Sequence, residues 1–134
     1  MTFHGVNLFA VLVSAISAFI VGGIWYSPLL FGAAWKKANG FEDHEPTGAT
    51  GKIFAISFLL SIIMALNLAF FLSDPKTTLA WGATAGFLAG FGWIVMGIGI
   101  VSLFEHRPFK YVLINGGYLT VALVLMGAIL GGWR

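Results

Sequence analysis

The sequence predicts an all-α integral membrane protein, an antiparallel four-helix bundle with a short interfacial helix after the first span. Three observations predict it. Only 9% of the 134 residues are charged and 59% are hydrophobic, whereas soluble domains carry roughly 25% charged residues. Four charge-free stretches are long enough to cross a bilayer, which takes about 20 helical residues. Stretches such as LFAVLVSAISAFIVGGIW and ISFLLSIIMALNLAFFL lack the apolar–polar alternation of a barrel strand, and in lipid only helices or closed barrels satisfy the backbone. The chain reads as a single membrane domain over residues 1–134.

The first charge-free stretch, Gly5 to Trp35, would be about 46 Å long if it were all helix, too long for one span. Ser27-Pro28 divides it. Proline removes a backbone donor and clashes one turn back, so the first span is expected over about 5–26. Serine caps helices and proline suits their first position, so a short interfacial helix is expected over about 28–37. Its Leu29, Leu30, Phe31 and Trp35 would lie at the lipid boundary, with Lys36 and Lys37 towards headgroups. Trp25 and Tyr26 suit the aromatic belt at the end of the span. The N-terminus has no basic region and no clean small-residue cleavage site, so the first span is expected to be retained.

The remaining spans are expected over about 53–73, 77–104 and 111–133. The second connection centres on Asp74-Pro75-Lys76 and the third runs from Glu105 to Lys110; links this short favour neighbouring helices. Loops one and three share one side and hold Lys36, Lys37, Lys52, Arg107 and Lys110, against Lys76 and Arg134 on the other. The excess predicts that loops one and three are cytoplasmic and that both termini lie outside.

Polar residues in the spans are few. Asn7 and Asn67 fall near the same end of the bundle, and an interhelical hydrogen bond between them is expected. Asn115 and Tyr118 share a face of the last helix. They lie level with Trp25, Tyr26, Ser27, Glu105, His106 and Arg107, and these eight residues form a candidate pocket at the inner face. Gly82, Gly86 and Gly90 repeat at every fourth position, making a flat groove for close helix packing, inside the bundle or between copies. Ser14, Ala18 and Gly22 repeat in the same way, as do Gly127 and Gly131.

The sequence also excludes function classes. There is no cysteine, hence no disulfide scaffold, thiol chemistry or iron–sulfur cluster. Seven scattered Lys and Arg residues make no nucleic-acid surface. No ionisable residue lies within the four spans, which argues against proton-coupled exchange of cations. No nucleophile–base pair and no phosphate-binding glycine loop is visible. Glu42-Asp43-His44-Glu45 reads as a solvated acidic turn, because adjacent loop residues rarely converge on one metal. No catalytic residue, metal or cofactor is assigned.

The run GGIWYSPLLFGAAW, the Asn7 before the first span, and NGGYLTVALVLMGAILGGW near the end resemble a family of small bacterial membrane proteins. It is catalogued only as domain of unknown function seventeen sixty-one. The resemblance implies a four-helix protein of a bacterial inner membrane and carries over no activity or functional residue. The expected function is a homo-oligomer in the lipid bilayer that binds or moves a small neutral or lipid-like molecule, since no buried charge would meet a bare ion. Two alternatives are an auxiliary subunit packed on a larger membrane protein, and a lipid-modifying enzyme using Glu105 and His106.

Overall fold

A computed structural model describes residues 2–3, 5–40 and 51–134, with backbone alone at 2–3. The acidic turn Glu42–Glu45 lies outside the described residues. The chain is helical almost throughout. A two-strand ribbon, β1 (Thr2–Phe3) and β2 (Val6–Asn7), comes first, with Thr2 opposite Asn7 and Phe3 opposite Val6. Gly5, at φ +79°, supplies the left-handed conformation that lets the chain reverse there. Helix α1 (Leu8–Trp25) therefore starts three residues later than expected, and the Asn7 side chain caps it by accepting from the Phe9 and Ala10 amides at 3.0 and 3.2 Å.

After α1 the chain turns through Ser27–Phe31 and enters the short helix α2 (Gly32–Ala38). The helix expected from Pro28 thus begins four residues later. The Ser27 hydroxyl does not cap α2; it donates back to the Ile24 carbonyl at 2.7 Å. The Ser27 carbonyl instead closes the turn, accepting from Leu30 and Gly32 at 3.1 and 3.0 Å. Gly32 is required here, since a Cβ would sit 2.6 Å from the Tyr26 carbonyl oxygen.

Helices α3 (Gly51–Phe71), α4 (Leu79–Phe104) and α5 (Phe109–Gly132) follow. With α1 they make four helices long and apolar enough to cross a membrane. Thr78 caps α4 by accepting from the Trp81 amide at 3.1 Å. Within α4, Gly90–Val95 is wound more widely as a π-helical turn. Gly97 and Gly99 lie in regular helix beyond it.

The core lies between α1, α3 and α5. Ala10, Val11 and Ala18 of α1 meet Ala65, Leu68 and Ala69 of α3 and Ala122, Leu123 and Met126 of α5, all buried. Alanines dominate because small side chains let helix axes approach closely. Helix α4 packs against α5 along most of its length. Gly82 and Gly86 abut the backbone of Gly127 and Leu123, and Gly90 abuts Thr120. Any Cβ at Gly82 or Gly86 would run into a carbonyl of α5. The glycine groove of α4 is therefore filled by this chain's own last helix.

The short α3–α4 link suggested adjacent helices, yet α3 and α4 barely touch. Each leans on other partners, and a groove opens between them. Its two joined hollows, of about 290 and 280 Å³, share Leu68, Phe71, Ala89 and Trp93. The bundle is thus open along one side. At its far end Arg134 braces the α3–α4 turn, donating to the carbonyls of Leu72, Asp74 and Leu130 at 2.7, 2.7 and 3.2 Å.

Candidate functional site

The end of α1 is held on α5 by hydrogen bonds from its aromatic pair. Trp25 Nε1 donates to the Ile114 carbonyl at 2.9 Å. The Tyr26 hydroxyl donates to Asn115 Oδ1 at 2.6 Å, and the Asn115 amide donates to the Tyr111 carbonyl at 3.1 Å. One turn further along α5, the Tyr118 hydroxyl donates to the Ala18 carbonyl at 3.2 Å. The Tyr26 and Tyr118 rings meet edge to face, 5.6 Å apart, a favoured aromatic geometry. Glycines make room for the rings. A Cβ at Gly117 would lie 2.9 Å from the Trp25 ring, and one at Gly22 would lie 3.2 Å from the Tyr118 ring.

Beside this cluster lies a hollow of about 350 Å³ between α1, α3 and α5. Phe19, Ile53 and Phe54 give it apolar walls, and Tyr26, Tyr118, Ser57 and Ser61 give it hydroxyls. Among the described residues no charged one lines it. Both phenol protons are committed to protein acceptors, and the Ser61 proton goes to the Ser57 carbonyl at 2.9 Å. The hydroxyl oxygens keep acceptor capacity. An occupant matched to this chemistry is uncharged, largely apolar and carries a hydrogen-bond donor.

The eight residues expected to form one pocket divide. Tyr26 and Tyr118 line the hollow; Trp25 and Asn115 support the cluster without lining it, and the Ser27 hydroxyl bonds back to the Ile24 carbonyl. Glu105, His106 and Arg107 sit in the exposed α4–α5 turn, where His106 adopts φ +57°. Arg107 approaches Glu105 at 4.0 Å, stacks over the Tyr111 ring at 5.2 Å and donates to Asn39 Oδ1 at 3.5 Å. Glu105 and His106 do not line this hollow, and Arg107 lines a different one, between α4 and α5. The reason is the turn itself: the three residues that reverse the chain are exposed.

The Asn7–Asn67 hydrogen bond is not formed. Asn7 is used as the α1 cap, and its amide donates to the Trp133 carbonyl at 3.5 Å. Helix α3 turns Ser61, Ala65, Leu68 and Ala69 inward, which leaves Asn67 exposed at the edge of the α3–α4 groove. Sequence reasoning missed Phe19, Gly22, Gly23, Ile53, Phe54, Ser57 and Ser61 as lining residues. The four-residue spacing of Ser57 and Ser61 was the available signal. Among the described residues no three His, Asp or Glu side chains gather as a metal site.

A model of a protein family of unknown function, DUF1761, matches residues 9–131. The chain belongs to the DUF1761 family. The matched region takes in all of α2 to α4, nearly all of α1 and α5, and every residue that lines the hydroxyl-bearing hollow. Neither the curated proteins nor the solved structures returned a match. For this DUF1761 chain, function must be argued from its own side chains.

Proposed function

We propose that this protein is an integral membrane protein, an antiparallel four-helix bundle, that binds or moves a small neutral or lipid-like molecule as a homo-oligomer. The observation that carries this reading is the uncharged hollow of about 350 Å³ walled by Phe19 and Phe54 and bearing the Tyr26, Tyr118, Ser57 and Ser61 hydroxyls. A hollow of that size suits a small ligand. A bare ion would find no counter-charge among the described residues that line it. The antiparallel arrangement draws support from the contacts: Asn7 meets Trp133, Ala18 meets Tyr118 and Tyr26 meets Asn115. The Lys and Arg distribution favours a cytoplasmic side for the Tyr26 end, in a bacterial inner membrane.

The auxiliary-subunit and lipid-enzyme alternatives draw less support. The glycine face that would seize a partner is occupied by α5, and Glu105 and His106 lie apart from the hollow.

Native mass spectrometry of protein extracted with its own lipid tests the reading. The expected result is a stoichiometric uncharged adduct that Gly23→Leu removes. Gly23 lines the hollow, and a Cβ there meets nothing within 4 Å, so the larger side chain enters the hollow without disturbing the backbone. Bare protein in the unsubstituted form, or an adduct that survives Gly23→Leu, overturns it.

A further inference from the structure

The outward face of α3 carries a pattern that the bundle does not use. Ile56, Leu60, Ile63 and Asn67 are spaced by four, three and four residues, the a/d spacing of a helix–helix seam. All are exposed, Leu60 at 55% and Ile63 at 53%. On a helix that is apolar on nearly every side, the spacing alone decides nothing. Asn67 decides it. Its amide lies four residues, about 6 Å, inside the end of α3 and is followed by five apolar residues, Leu68 to Leu72. Among the described residues it has no hydrogen-bond partner. A lipid chain offers it none, and an unmatched amide in hydrocarbon is costly.

We propose that α3 is the homodimer face, pairing in parallel with α3 of a second copy and joining Asn67 to its own counterpart. The occupant follows from symmetry and chemistry. Two copies inserted with the same orientation relate by a two-fold axis along the membrane normal, which sets α3 against α3 in register and each seam residue against itself. A carboxamide holds both donor and acceptor, so it is its own complement across that axis. A single Asn at an a position fixes register and pairing in just this way in helix pairs. The glycine face of α4, the other surface suited to close association, is already filled by α5. This proposal rests on the membrane reading above and gives its homo-oligomer a face. It is independent of what the hollow binds, because the seam and the hydroxyls of Ser57 and Ser61 lie on different sides of α3.

The chain has no cysteine, so single cysteines report directly. Leu60→Cys, Ile63→Cys and, as a control on the exposed face of α4, Ile100→Cys are oxidised in isolated membranes. The two seam variants should cross-link to dimers well above the control. Adding Asn67→Leu, which removes no hydrogen bond within the monomer, should raise the dimer dissociation constant roughly 3- to 20-fold and lower the cross-linked yield. Seam yields no higher than the Ile100→Cys control would overturn the proposal, as would yields indifferent to Asn67→Leu. Protein recovered in the soluble fraction would overturn the membrane reading, and this dimer with it. Membrane-borne protein without a seam cross-link overturns the dimer alone.

Discussion

The Tyr26 hydroxyl donates to Asn115 Oδ1 at 2.6 Å across the α1–α5 contact. This bond joins the residue that ends the first long helix to a side chain eighty-nine positions later. Tyr26→Phe removes the donor and leaves the Asn115 oxygen without its partner, and should lower stability by about 1 kcal/mol. Asn115→Leu should cost a similar amount. The double variant should cost less than the sum, because the two side chains share one bond. Thermal unfolding in detergent measures all three, and strict additivity would contradict the pairing.

Glycine substitutions in α4 should separate by position. Gly86→Leu drives a side chain into the Leu123 carbonyl and should unseat α4 from α5, with loss of folded yield. Gly97→Ala meets nothing within 4 Å and should be neutral or mildly stabilising, by up to about 1 kcal/mol. Yield and melting temperature of the two variants check the contrast.

Asn7 and Asn67 should behave as strangers. Asn7→Ala removes the α1 cap and should cost about 1 kcal/mol, while Asn7→Ser should recover most of it. Asn67→Ala should leave unfolding of the monomer unchanged. The combined variant should be additive; a coupling above about 0.5 kcal/mol would show a contact that the structure lacks.

Arg134 donates three hydrogen bonds to carbonyls around the α3–α4 turn. Arg134→Gln should leave the Leu72 and Asp74 carbonyls to solvent and loosen that turn. Hydrogen exchange should accelerate at the amides of residues 72–78 and stay unchanged in the middle of α5. Exchange that is equal in both forms would show that the guanidinium braces nothing.

Much of the fold was legible because long charge-free stretches make simple demands. Length and apolarity alone placed four long helices, and the break after Tyr26 followed from Ser27-Pro28. The start of α2 was misjudged because Pro28 and Ser27 both suit a helix start, while the competing turn closed by the Gly32 amide depends on a backbone approach that no propensity reveals. The open α3–α4 side was hidden because a short link fixes where two helices begin, not whether their axes stay together. For the candidate site, Tyr26, Asn115 and Tyr118 were readable as a level of polar groups. Which of them lines a hollow depended on helix rotation, and α3 is apolar on nearly every side, so its sequence could not announce that Ser57 and Ser61 turn towards Tyr118 while Asn67 turns away.

The wide turn at Gly90–Val95 also settles a matter of phase. A stripe spaced by four residues precesses by about 40° at each step of a regular helix, so Gly82, Gly86 and Gly90 would carry the next contact away from α5. Beyond the turn Val95 meets α5 at Gly116, five positions after Gly90. The turn absorbs one residue, worth about 100° of rotation, and re-aims the second half of α4 at the same neighbour. It behaves as a one-residue insertion carried inside a helix. Deleting a single residue within it should keep both halves of α4 on α5, whereas the same deletion at Ala85 should turn one half away.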